Sequence, residues 1–145
     1  MGLVEDAPHH DVTYKVIGRA MAVHNDLGPG HREVVYHRAL AAEFQDVNAV
    51  FAEEPCISVK MEDGTAVGLY YPDFIVEDVA IVEIKAHSHP LTNDEIAQVI
   101  DYFAGTGCKV ALLINFGRPR LEWHRLFPPK KISEHRRKKW GKPLK

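Results

Sequence analysis

Only two cysteines occur in 145 residues, Cys56 and Cys108, and their separation matches no zinc or iron–sulfur spacing. They read as reduced thiols packed like small hydrophobes, which fits a reducing cytoplasm. Met1–Asp11 is acidic where a secretory signal is basic and then apolar. No apolar run approaches the ~20 residues that a membrane-spanning helix needs. Internal repeats are absent too. A chain of this length forms one domain able to bury about two-thirds of its unfolded surface.

Strong net charge is also lacking, at −2, but that balance conceals an asymmetry. Residues 130–145 carry eight Lys or Arg against Glu134 alone, a net +7, which leaves −9 on the remainder. The expected organisation is a folded domain over residues 1–129 and a basic tail over 130–145. An acidic body argues against a protein that coats DNA over its whole surface, and against a membrane binder. The tail residues Lys130, Lys131, Arg136, Arg137, Lys138 and Lys139 are candidates for holding phosphate backbones without reading sequence, a grip that salt weakens. A solvated tail that aids solubility is the alternative.

Along the chain, Val12, Val16, Ala20 and Val23 predict an amphipathic helix over about 11–26, ended by Leu27-Gly28-Pro29-Gly30. A second helix is expected over about 31–44, with apolar residues spread widely enough to be largely enclosed. Pro55–Lys60 reads as a strand, and Asp63-Gly64 as a hairpin turn. Val67–Val76 and Val79–Lys85 follow as strands. Thr92-Asn93-Asp94-Glu95 is a capping box that opens a third helix, with Ile96, Ile100 and Phe103 as its buried stripe. Lys109–Phe116 is a near-continuous apolar strand, and a strand–helix–strand crossover implies that it lies parallel to Val79–Lys85. Leu121–Leu126 alternates as a more exposed strand.

The stretch Tyr71–Lys85 organises the rest. Three charges, Asp73, Glu83 and Lys85, sit toward one end of two strands apolar enough to be covered on both faces. Unpaired, each would cost several kcal/mol to bury. Mutual pairing compensates them, and so does a divalent metal held by the carboxylates; the spacing favours the metal. Side chains alternate along a strand, so a plain two-residue turn at Glu77-Asp78 would set Asp73 opposite Val82, with Glu83 on the other face. For Asp73 to meet Glu83, the connection must have three or five residues, or a bulge.

Pro72-Asp73 followed by Glu83-Ile84-Lys85 resembles the Pro-Asp…(Asp/Glu)-x-Lys motif of the PD-(D/E)XK nuclease superfamily. A longer set resembles the small GxxExxR proteins within it: Tyr14–Gly18, Val23–Gly30, Glu33, Ala39-Leu40, Gln98, Tyr102 and Leu112–Gly117. One departure is Tyr36, which stands three after Glu33 where that family's name has Arg. The resemblance covers roughly Tyr14–Leu126. It implies a restriction-endonuclease-like α/β core, a mixed β-sheet flanked by helices in the order ααβββαββ. It also implies hydrolysis of phosphodiester bonds in nucleic acid, with DNA as the expected substrate; because no second domain is there to read sequence, branched or single-stranded DNA is expected at least as much as plain duplex.

The ligands implied for one or two Mg2+ or Mn2+ ions are Asp73, Glu83, the Ile84 carbonyl and Glu33, an all-oxygen set suited to hard cations. Lys85 is implied as the residue that orients or deprotonates the attacking water. Gln98 and Tyr102, four apart and on one helix face, are implied to border the site; a polar helix flank is the alternative. Glu33 has its own alternative, an acid favoured by the positive end of its helix. The triad itself has one, a structural ion pair. His24 is expected to be packed or hydrogen-bonded, and His87 and His89 to lie in a loop at the cleft mouth. Cutting both strands of a junction would require a homodimer. A catalytically silent nucleic-acid-binding or assembly module is the competing reading of the whole chain.

Overall fold

The computed structural model of the chain describes residues 9–132. Helix α1 (His10–Leu27) buries Val12, Val16, Ala20 and Val23 in the four-residue rhythm of the sequence, with Thr13, Ile17 and His24 beside them. Gly28 stops it: its φ of 68° is left-handed, and its N–H donates to the His24 carbonyl at 2.8 Å. Helix α2 (Glu33–Asp46) is less enclosed than its composition predicts. Only Tyr36, Leu40, Ala41 and Phe44 are buried, and Val34 is exposed.

Five strands, not three, precede the next helix. One addition is β1 (Phe51–Glu53), too short to leave a periodic pattern. The other comes from Val67–Val76, which divides into β3 (Ala66–Tyr70) and β4 (Phe74–Val76). Pro72 lies at the division; it has no N–H for a ladder and restricts the residue before it. β2 (Ile57–Lys60) and β3 form a separate antiparallel hairpin. Its Asp63-Gly64 tip has Gly64 at φ 91° and Asp63 Oδ1 accepting from the Thr65 N–H.

The main sheet has the order β1-β4-β5-β6-β7, where β5 is Ala80–Lys85, β6 Val110–Asn115 and β7 Glu122–Leu126. β5 and β6 are parallel, as the crossover implies, and the other neighbours are antiparallel. The crossover is helix α3 (Asn93–Tyr102) with a short turn over Phe103–Gly105. Both halves of the Thr92–Glu95 capping box form. The helix is rotated from expectation, however. Val99, Tyr102 and Phe103 are buried, while Ile96 and Ile100 are only partly covered.

Strand alternation sorts the core into two layers. Ala80, Val82, Ile84, Leu112 and Ile114 pack toward α1 and α2 with Phe74 and Val76. Ile81, Ala111 and Leu113 pack toward α3 with Val99, Tyr102 and Phe103. By the same alternation Glu83 and Lys85 face the α3 side. The two families of apolar residues thus fix which way the charged ones point.

Candidate active site

The connection between β4 and β5 has three residues, Glu77-Asp78-Val79, so Val76 pairs with Ala80 and Phe74 with Val82. Glu77 and Asp78 both take left-handed φ, 52° and 59°, which tightens the connection. Aspartate tolerates that region; Glu77 is held there by its N–H on the Val50 carbonyl at 2.7 Å and an ion pair with Lys15. Continued by one residue, this register brings Asp73 to Glu83, as the alternation argument requires. The Asp73 N–H donates to Glu83 Oε1 at 3.2 Å, and the Ile84 N–H donates to Asp73 Oδ2 at 2.8 Å. Lys85 Nζ stands 3.8 Å from Glu83 Oε2.

Glu83 is buried, and Tyr102 donates its hydroxyl to Oε2 at 3.2 Å. Desolvation first, and the Asp73 charge second, push the Glu83 carboxyl up to about 8, with Lys85 pulling the other way. Burial also raises the Tyr102 hydroxyl well above its ordinary value, with Glu83 adding to it. Tyr102 is therefore a direct partner of the acid. Gln98, one turn earlier, is exposed.

His37 has no place in the sequence expectation, yet its Nδ1 lies 2.8 Å from Asp73 Oδ1 and its ring stacks on Phe74 at 4.4 Å. The signal available was its position: it lies four residues after Glu33 and so on the same helix face. Glu33 opens α2 above this cluster. Partial desolvation raises its carboxyl, Lys85 and His87 oppose that, and Asp73 and Glu95 reinforce it. The structure brings Glu33 into electrostatic reach of the triad without a direct contact. Tyr36, at the departure from the GxxExxR pattern, is fully buried. It donates to the Gly28 carbonyl at 2.5 Å, accepts from the His31 N–H, and stacks on Phe116 at 4.7 Å. It fixes the turn that delivers Glu33.

Beyond Lys85 the chain is tied down by Asn115, its partner across the β5–β6 ladder. Asn115 is fully buried; its Oδ1 accepts from the N–H groups of His87 and Gly117, and its Nδ2 donates to the His89 carbonyl. A Cβ on Gly117 would lie 2.4 Å from the His87 carbonyl oxygen, so only glycine allows this approach. His87 and His89 stack at 4.5 Å. One ring nitrogen of each is occupied, His87 Nε2 by Glu95 at 2.5 Å and His89 Nδ1 by the Pro90 carbonyl at 2.8 Å. Against partial burial, hydrogen bonds from Thr92 and His87 hold the Glu95 carboxyl below its usual range. His24 is buried with Nε2 on the Arg118 carbonyl at 2.9 Å, the packed role expected of it. Cys108 is buried as expected but Cys56 is exposed.

Among the described residues, no three His, Cys, Asp or Glu side chains converge to hold a metal unaided. What converges is two carboxylates, each oxygen of which keeps a lone pair beyond its hydrogen bond. Together with a backbone carbonyl this all-oxygen set fits a hard divalent cation, whose charge would relieve the crowding that raises Glu83. Lys130 and Lys131 are described, and Ile132 beside them packs on the α3-side core. Arg136, Arg137, Lys138 and Lys139 lie outside the described residues.

A family profile of the PD-(D/E)XK nuclease superfamily matches residues 10–126. The chain belongs to that superfamily. Its members generally use divalent metal ions, and they act on nucleic acid. No match is found among curated proteins. Among solved structures, the chain is similar to the crystal structure of an alkaline exonuclease from Laribacter hongkongensis, at 14% identity and a TM-score of 0.48. That likeness covers 70% of this chain and 58% of the exonuclease chain. No helix among the described residues is long and apolar enough to cross a membrane.

Proposed function

We propose that this superfamily member is a metal-dependent nuclease that hydrolyses phosphodiester bonds of DNA. The observation that carries the reading is the meeting of Asp73 and Glu83 beside Lys85, at the end of a sheet whose two central strands are otherwise apolar except for Asn115. Asp73, Glu83 and the Ile84 carbonyl would hold Mg2+ or Mn2+, with Glu33 joining directly or through water. When bound, the cation lowers the pKa of a nearby water and offsets charge on the phosphoryl oxygens. His37 and the Ile84 N–H hold Asp73 in place. Tyr102 and the Asp73 N–H do the same for Glu83. Lys85 orients the attacking water or neutralises the transition state. Gln98 stands at the rim, where it would touch substrate and not the cation. The basic tail adds a sequence-independent hold on phosphates.

The test is cleavage of labelled single-stranded, duplex and four-way DNA, and of RNA, with and without Mn2+, by the full chain and its Asp73→Ala variant. Metal-dependent cutting that Asp73→Ala abolishes supports the reading. Binding without cutting in every format would transfer the chain to the silent-module reading. Cutting of both strands of a four-way junction would call for a dimer, measured by sedimentation.

A further inference from the structure

We propose that the turn between β6 and β7, with the start of β7, grips a single-stranded segment of the substrate: Arg118 and Arg120 on phosphates, Trp123 as a platform for a base. The direction of the strand relative to Asp73 rests on the nuclease reading; the grip itself does not.

Four observations meet here. First, the ladders align Lys85 with Asn115, and Asn115 with Glu122, so the turn rises from the same end of the sheet as the triad. Two strand spacings, roughly 10 Å, separate β5 from β7; Trp123 lies on the α1 side and Glu83 and Lys85 on the α3 side, so the strand would pass over the end of the sheet between them. Second, the turn is rigidly held. His24 bonds the Arg118 carbonyl, Gly117 is pressed on the 86–87 backbone, and Glu122 accepts from the Leu91 N–H at 3.1 Å. A surface ordered before binding loses little entropy when a ligand arrives.

Third, two hollows of about 540 and 490 Å3 share Pro119, Arg120, Leu121 and Trp123 along their walls. Trp123 is half-buried: packed on the α1-side core, yet part of both walls. Arg118 shares its charge with Glu122 at 3.5 Å, but Arg120 is exposed and pairs with no described acid. An aromatic face beside an uncommitted guanidinium is the chemistry that takes an unstacked base and its phosphate. Fourth, the cleft on the other side of the site offers phosphate no net attraction. Apart from Asp73 and Glu33, which the proposed cation would occupy, the charged lining of this cleft of about 620 Å3 is Glu53 and Glu54 against Arg38 and His37. The uncommitted positive charge lies on the β7 side.

The experiment uses the full chain carrying Asp73→Ala, which stops cleavage, and Trp140→Phe, which leaves Trp123 as the only tryptophan. It is titrated in EDTA with a fluorescein-labelled oligothymidylate and with a blunt hairpin duplex. Trp123 emission and label anisotropy are read together. The grip predicts saturable quenching by oligothymidylate that tracks the anisotropy. It predicts that Arg120→Ala, at an exposed site that leaves the fold intact, weakens binding about ten-fold and lowers the salt slope by about one. Binding without a change in Trp123 emission would overturn it, as would an unaltered affinity and slope in Arg120→Ala. Equal quenching by the duplex would overturn the single-strand assignment. Quenching in this background, together with no cutting by the chain that retains Asp73 when Mn2+ is added, would keep the grip and remove the nuclease.

Discussion

Replacing Glu83 by Gln should stabilise the protein at alkaline pH in the absence of metal, although it removes a central residue of the site. The fold raises the Glu83 carboxyl from about 4.5 to about 8, so the folded chain favours its protonated form. Stability from this group is therefore complete below pH 4.5 and is lost progressively as pH rises toward 8. Between pH 5.5 and 8.5 the ionisation penalty grows by at most about 3 kcal/mol, and relaxation of the site reduces this to about 1–2 kcal/mol. Glutamine does not titrate, and so escapes that loss. It does misplace one donor or acceptor, because the Asp73 N–H and the Tyr102 hydroxyl both point at carboxylate oxygens. That costs about 1 kcal/mol at every pH. The expected result in EDTA is a variant no more stable than wild type at pH 5.5 and ahead of it at 8.5. The change in the difference should be roughly 3–6 °C in Tm. Added Mn2+ should close the gap by stabilising wild type alone. A difference that stays constant across this pH range, in thermal or urea unfolding, would refute the reasoning.

Tyr102→Phe removes one hydrogen bond to Glu83, so urea unfolding should show a loss of about 1 kcal/mol, and metal-dependent cleavage should fall by about five-fold. His37→Ala deletes both the bond to Asp73 and the ring on Phe74. A stability loss of about 2 kcal/mol and at least a ten-fold drop in single-turnover cleavage are expected. Gly117→Ala drives a methyl to within 2.4–2.6 Å of the Ala86–His87 backbone, and should cost about 1–3 kcal/mol on urea unfolding. Its cleavage defect should exceed that of Gln98→Ala, because Gln98 is exposed and holds none of the triad.

The meeting of Asp73 and Glu83 was legible in the sequence because it is a question of parity. Alternation on apolar strands leaves few registers, and only an odd connection joins the acids. The parallel β5–β6 pair was legible for a related reason, since a capped helix between two apolar strands admits few topologies. β1 was not: three residues carry no period, and their strand identity comes from pairing with β4. The rotation of α3 was hidden as well. Periodicity shows that a helix has an apolar side, but packing against Ile81 and Leu113 decides that Val99 and Tyr102 supply it. His37 was only half legible: its spacing puts it on the helix face of Glu33, but the fold alone brings that face to an acid 36 positions away.

The three-residue link at Glu77-Asp78-Val79 ties chemistry to folding in one indivisible choice. The rhythm that tucks Phe74 and Val76 beneath the helices is the rhythm that presents Asp73 to Glu83. Lengthening the link by one residue would expose two hydrophobes and disperse the acids together, whereas adding two leaves both in phase. Insertions tolerated there should come in pairs, and a chain that folds at all would already have its acids aligned.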